Sequence, residues 1–298
     1  MGPIHITACP VCSSGSIQPV VTLQDYSVSR ETFEIWECAQ CSFRFTQNIP
    51  DQTAIAPYYK SENYISHSDT NKGFINRLYH IVRRYTLGSK RNLLKKENAG
   101  QSGRLLDVGA GTGAFLLEMK AAGWDITGLE PDMDAMKLAQ QKTGLSLYDT
   151  DTLFQLPAST FDIITLWHVL EHVHALHAYL DQFHTILKQD GTLLIAVPNY
   201  CSEDANHYQQ YWAAYDVPRH LYHFSPKSMR TLMENHGFSV QRIQPMWFDS
   251  FYVSMLSETY RKGRSNLPAA FWQGLKSNLS AMHNREKASS LIYVIKKN

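Results

Sequence analysis

Leu105-Leu106-Asp107-Val108-Gly109-Ala110-Gly111-Thr112-Gly113 is the stretch that decides the fold. A short apolar strand runs into a turn with glycine at alternate positions, and Ala114–Ala122 reads as a helix stopped by Gly123. A strand, a glycine turn and a helix start bring backbone N–H groups close to a ligand at the positive end of the helix. With Ala114 as its last member the string also satisfies the dinucleotide pattern G-x-G-x-x-G/A, and a purely structural glycine turn is a third reading. Asp107 helps to separate them. A carboxylate inside the strand, just before the first glycine, repels a pyrophosphate but suits a ligand that carries a cationic amino group.

Working outward, the pattern of strand, turn and helix repeats. Asp125–Leu129 reads as a strand ending at Glu130, whose two oxygens can accept from both hydroxyls of a ribose. A helix over Met133–Gln141 follows. Leu145–Tyr148, Asp162–Trp167, Thr192–Val197, Ser239–Ile243 and Ser290–Ile295 are further strand candidates, with a helix over Ala175–Lys188 and another that starts at Ser225-Pro226 and ends at Gly237. Such alternation predicts a doubly wound, mostly parallel α/β sheet. Upstream, Phe74, Leu78, Ile81, Val82 and Tyr85 recur at helical spacing over Lys72–Lys96, and Arg77, Arg83, Arg84, Arg91, Lys95 and Lys96 occupy the other face. That face reads as a solvated surface or as part of a lid with Tyr58, Tyr59 and Tyr64.

The segments LLDVGAGTG, GLEPD, FDIITLWHVLEHV and GTLLIAVPN, in this order, resemble the class I S-adenosylmethionine-dependent methyltransferases, and within them the ubiquinone-biosynthesis-type O-methyltransferases. The resemblance runs from about Lys72 to Ile243. It implies a Rossmann-like sheet of seven strands with the last antiparallel. It also implies that Asp107, Gly109, Gly111 and Gly113 line the methionine and ribose end of S-adenosylmethionine, and that Glu130 holds the ribose. Pro131, Asp132 and Met133 would flank the adenine, with Asp151 or Thr152 near its amino group. Leu166, Trp167 and His168 would end a strand beside the sulfonium.

Two histidine-rich stretches supply candidates for acid–base work. His168-Val169-Leu170-Glu171-His172 spells H-x-x-E-H, which on a helix would put three ligands on one face. The string is also a zinc-protease motif, and related methyltransferases that bind a divalent metal here carry an acid where His168 stands. The other reading has Glu171 and His172 bracing the floor of the site. The second stretch runs from Tyr211 to Phe224 and contains Pro218-Arg219-His220-Leu221-Tyr222-His223. A neutral imidazole accepts a proton near neutrality, so His220 is the first choice of catalytic base, with His223 and His168 behind it. A packed structural lid is the alternative.

Cys9/Cys12 and Cys38/Cys41 form two C-x-x-C pairs beside Trp36, Phe43 and Phe45. Four thiolates close a tetrahedral shell, so these cysteines are expected to hold structural Zn²⁺, with iron or a redox pair as alternatives. The expected organisation is a zinc-ribbon-like module over residues 1–49, a connecting or lid segment over 50–71 and the methyltransferase domain over 72–298. Within that domain lie a substrate loop at about 200–224 and a helical insertion at about 251–287. A net charge of +1 gives no electrostatic reason to expect nucleic acid as a partner. No apolar run reaches the ~20 residues of a membrane span, and no secretory leader is evident, so a cytoplasmic location is expected. The function expected is methyl transfer to an oxygen or nitrogen, less often a carbon, of a small or mid-sized organic acceptor. A nicotinamide-dependent oxidoreductase and a silent cofactor-binding module are the rivals.

Overall fold

The computed structural model describes residues 2–59 and 74–298. In chain order it forms β1 (Ile17–Gln24), β2 (Thr32–Cys38) and β3 (Arg44–Thr46), then helix α1 (Phe74–Glu97). Next come β4 (Arg104–Val108), α2 (Ala114–Ala121), β5 (Asp125–Leu129), α3 (Met133–Thr143), β6 (Phe161–Trp167), α4 (Leu176–Ile186) and β7 (Leu187–Pro198). The last part holds α5 (Glu203–Tyr208), β8 (Tyr222–His223), α6 (Pro226–Asn235), β9 (Phe238–Pro245), α7 (Asp249–Lys262), α8 (Leu267–His283) and β10 (Ser290–Lys297).

The main sheet has the order β5-β4-β6-β7-β10-β9. Neighbours from β5 to β7 are parallel, while β10 lies antiparallel between β7 and β9. This is the doubly wound α/β arrangement that the repeating pattern predicts. Six strands stand where seven were expected. The Leu145–Tyr148 candidate contributes only a parallel bridge between Tyr148 and Leu129. Leu145 and Leu147 still bury their side chains, but the Asp149 carboxylate caps a 3₁₀ turn over Thr150–Gln155 that draws the chain off the ladder. The packing role survives and the strand does not. The helix over Lys72–Lys96 is α1, and what was read for its first turns and for Tyr64 lies outside the described residues.

The N-terminal segment builds a second sheet, β1-β2-β3-β8, antiparallel throughout. Its two C-x-x-C turns share one geometry. Ser13 and Ser42, each directly after its pair, adopt φ of 58° and 59°. Each donates its N–H at 2.9 Å to the carbonyl of the pair's first cysteine, Cys9 or Cys38. This folds both turns so that all four sulfurs lie within 4.8 Å of one another. Phe43 and Phe45, fully buried beside the cysteines, belong to the same apolar core as Phe224, Met229 and the main sheet.

The fourth strand of this sheet comes from the 211–224 stretch, with Arg44 opposite His223 and Phe45 opposite Tyr222. Arg219 locks the join. Its guanidinium is 1% exposed and reaches Asp25 Oδ1 at 2.9 Å, Asp216 Oδ1 at 2.5 Å and the carbonyl of Tyr58 at 2.8 Å. It therefore ties the turn after β1, the segment before α1 and the 211–224 stretch to one charge. Removing it takes the counter-ion from the buried Asp25 carboxylate, which keeps the N–H groups of Ser27, Val28 and Ser29 and the Ser29 hydroxyl as hydrogen-bond donors. Arg219→Met should lower stability by about 3–5 kcal/mol in urea unfolding, and a loss below about 1 kcal/mol would show that the clamp is not needed.

Candidate active site

The glycine turn after β4 is built from left-handed backbone. Gly109, Gly111 and Gly113 have φ of +73°, +55° and +73°, conformations that side chains resist. A Cβ on Gly109 would also meet Val169 Cγ2 at 2.4 Å, whereas Gly111 has nothing within 4 Å of where its Cβ would stand. The turn is closed on one side and open on the other. The N–H groups of Gly109 and Ala110 both donate to the carbonyl of Leu129, which pins the turn to the end of β5.

Glu130 follows directly. Its Oε2 accepts from the Gly111 N–H at 2.7 Å and its Oε1 from the Asp132 N–H at 3.0 Å. Each oxygen keeps a further lone pair, so the carboxylate is oriented and can still accept from hydroxyls. Pro131 and Met133 follow it as exposed residues at the start of α3, which Asp132 caps through the N–H groups of Asp134 and Ala135. Asp151 is exposed in the 3₁₀ turn beyond the Tyr148 bridge, and its N–H donates to Asp149.

Asp107 is 2% exposed and accepts a 2.6 Å hydrogen bond from the Thr165 hydroxyl. Burial pushes its carboxyl up, partly offset by that bond and by the charge of Lys90. Burial pushes the Lys90 ammonium down in turn, against the pull of Asp107 and Asp249. Lys90 comes from α1, with its Nζ 4.0 Å from the centre of the Trp167 ring and 5.6 Å from that of Phe115. The Trp167 indole N–H is buried without an acceptor. Lys90 was missed from the sequence, although a signal was there. It lies three and four residues before Leu93 and Leu94, both buried, and so interrupts the apolar face of α1.

The H-x-x-E-H string is not helical as the three-ligand reading required. His168 adopts φ +59°, and Leu170–His172 is a single 3₁₀ turn. His168 lies between two carboxylates, with Nε2 2.9 Å from Asp249 Oδ2 and Nδ1 3.4 Å from Glu171 Oε1. Burial works against its charge, but these partners raise its pKa to about 10. It is thus an imidazolium at neutral pH with no lone pair to take a proton. Asp249 carries no signal in the sequence that singles it out.

The other histidines converge. His172 Nδ1 lies 2.9 Å from the carbonyl of Arg219 and 3.1 Å from Tyr59 Oη. A carbonyl only accepts, so Nδ1 carries the proton. Burial and the nearby His220 lower the pKa of His172 to about 4. His220 Nδ1 donates likewise to the carbonyl of Ala214 at 2.9 Å, and the two rings stand 4.6 Å apart, edge to face. His223 is turned away. Its Nε2 meets Thr46 Oγ1 at 3.1 Å, and that hydroxyl already donates to the carbonyl of His220, so His223 donates there. Burial pushes the His223 pKa well down.

Residues 79–243 match a family described as "Methyltransferase domain", more than half of the chain. The chain belongs to this methyltransferase family. Among curated proteins, it is 26% identical over 182 residues to the mitochondrial ubiquinone biosynthesis O-methyltransferase of Bos taurus, covering 54% of this chain and 49% of that one. The ubiquinone biosynthesis O-methyltransferase of Rhodopseudomonas palustris (strain BisB5) is 31% identical over 101 residues, 32% of this chain and 40% of that one. The chain thus spans about half the length, or less, of these curated relatives. The crystal structure of a magnesium protoporphyrin IX methyltransferase from Synechocystis PCC 6803 with bound S-adenosylhomocysteine has a TM-score of 0.54 at 15% identity, covering 83% of this chain and all of that one. A methyltransferase from Archaeoglobus fulgidus gives 0.50 at 19%, covering 76% and 100%. These last two are likenesses of fold. None of the relatives supports an oxidoreductase.

For a chain of this family the raised pKa of Asp107 has a consequence for ligand binding. Between the ordinary carboxylate range and that raised pKa, the free protein holds a neutral carboxyl, whereas an amino-group ligand favours the anion. Affinity for S-adenosylhomocysteine should therefore rise as pH climbs from about 5 to about 7, measured by calorimetry. A flat or falling profile over that range would contradict Asp107 as the partner of the ligand.

Proposed function

We propose that the protein binds S-adenosylmethionine in the slot between Asp107 and Glu130 and transfers its methyl group to an oxygen or nitrogen, less often a carbon, of a small or mid-sized organic acceptor. The single observation that carries this reading is the pairing of a buried strand-end carboxylate with an oriented one across a glycine turn whose middle member faces open space. When bound, the sulfonium compound supplies an activated methyl group. The residues fit it. Asp107 suits its ammonium, Glu130 its ribose hydroxyls, and the open side of Gly111 admits its backbone contact. Trp167 offers a flat face for the cationic centre beside it, the face Lys90 now occupies. Pro131, Met133 and Asp151 form the rim on the adenine side.

On the acceptor side we assign the leading role to His220. His168 is held as an imidazolium and His223 donates to Thr46, whereas the His220 Nε2 keeps a lone pair. Alignment of donor and acceptor in a closed site provides most of the rate, and the histidine cluster adds charge control at the acceptor. The four cysteines we assign to structural zinc. Cys9–Cys41 and Cys12–Cys38 sulfur distances are both 3.5 Å, close to the ~3.8 Å of thiolates bound tetrahedrally at ~2.3 Å.

Asp107→Ala and Glu130→Ala should each abolish or severely weaken binding of S-adenosylhomocysteine, and full affinity in both would remove this site. His220→Ala should lower turnover about 10²-fold or more with cofactor affinity kept, and an unchanged rate would clear His220 of the role. Consumption of methyl-labelled donor with a small-molecule extract separates an enzyme from a silent binding module. Cys38→Ser should lose one equivalent of zinc and deprotect β2 amides in hydrogen exchange. Full protection with no metal lost would refute the zinc assignment.

A further inference from the structure

The helical insertion between β9 and β10 has no task in the reading above, apart from the Asp249 at its start. It also lies beyond residues 79–243, the part that matches the methyltransferase family. Its two helices, α7 and α8, pack through small side chains. Ser250, Ser254 and Ser257 of α7 are buried, as are Ala270, Gly274 and Ser277 of α8. A Cβ on Gly274 would stand 2.6 Å from Phe251 Cδ1 and 3.0 Å from its Cα, so the helices meet there almost backbone to backbone.

The large apolar side chains of α8 point the other way. Leu267, Phe271, Trp272, Leu279 and Met282 are exposed, and Leu275 is half-buried. At about 100° per residue these six fall on one face of the helix about 140° wide, and the buried small residues lie outside it. A surface helix normally turns its large apolar residues to the core, so this one is inverted. Phe271 stacks on Phe251 at 5.5 Å and meets Trp272 edge-on at 6.0 Å, which carries the patch across to α7. The five exposed side chains, about half to two-thirds bare, present about 500–600 Å² at ~200 Å² each. Scattered apolar residues on a surface are ordinary, but a continuous patch of this size marks a contact.

We infer that this face of α8 is the interface of a homodimer, in which two copies of the helix cross antiparallel on a two-fold axis near Leu275. The face is self-complementary about that point, as an isologous contact requires. Phe271 of one copy meets Leu279 of the other, and Leu267 meets Met282. The row Leu267, Phe271, Leu275, Leu279 has i, i+4 spacing and forms a ridge that fits the groove beside its counterpart. Charge does not oppose the pairing. Lys276 is the one ionisable side chain between Leu267 and Met282. It stands at the flank of the face and is paired with Glu203 at 2.7 Å. Two copies of the patch, with their flanking polar residues, reach the ~1,200 Å² at which stable interfaces begin.

Sedimentation equilibrium on the full zinc-loaded chain tests this. At about 50 µM the wild type is expected at twice the 34.0 kDa of the chain. Phe271→Glu and Leu279→Glu should each weaken association about 100-fold or more and sediment as monomers. Phe154→Glu, at an exposed ring that packs on Tyr179 instead, should remain a dimer. Circular dichroism spectra that match the wild type show that the variants fold. A wild type that stays at 34.0 kDa, whether free or sedimenting with phosphatidylglycerol vesicles, would overturn the dimer. A dimer untouched by both α8 substitutions would overturn it too. The measurement needs no S-adenosylhomocysteine, so the dimer and the cofactor slot can each fail alone.

Discussion

The rest of the structure depends on a carboxylate kept in a place where water cannot serve it. Asp107 sits at the end of β4 with one hydroxyl for company, and burial alone would hold it neutral. What offsets that cost is a chain of alternating charges running away from it. Lys90 feels the charges of both Asp107 and Asp249, Asp249 pairs with His168, and His168 faces Glu171. The chain links the glycine turn to the histidine cluster through side chains from α1, the end of β6 and the start of α7. A cationic ligand beside Asp107 would compete with Lys90 for the same charge. Cofactor binding and the state of the histidines are in this way parts of one electrostatic system.

The N-terminal module is equally bound up with the site. Its sheet is completed by β8, from the stretch that carries His220 and His223. Thr46, on β3, donates to the carbonyl of His220 and accepts from His223, so the small sheet sets the orientation of both. Arg219, between Asp216 and His220, is held by Asp25 from the turn after β1. Folding of the small sheet thus bears on the histidine cluster. A buried ion pair that breaks even in stability can still serve by specifying one arrangement of loops.

Much of this was legible in the sequence, and what was not has physical reasons. The glycine turn, Asp107, Glu130 and the alternation of strands and helices are local signals, written in consecutive residues. Each C-x-x-C pair is too, since it is written in four consecutive residues. The seventh strand was over-read because Leu145 and Leu147 bury themselves as strand residues do, while the Asp149 cap that ends the run is a single side chain. The helical reading of H-x-x-E-H failed because His168 takes a left-handed backbone that periodicity cannot foresee. Lys90, Asp249 and the meeting of Glu171 with His220 depend on packing between distant segments. Only the lysine on an apolar helix face could have been noticed beforehand.

The most direct measurement is a crystal structure of the protein grown with S-adenosylhomocysteine. The nucleoside should lie along the open side of Gly111, its amino group against Asp107 with Lys90 displaced, and its ribose hydroxyls on Glu130. Density for the compound elsewhere in the molecule, or a slot that stays empty at saturating ligand with Lys90 still over Trp167, would contradict the assignment at its root.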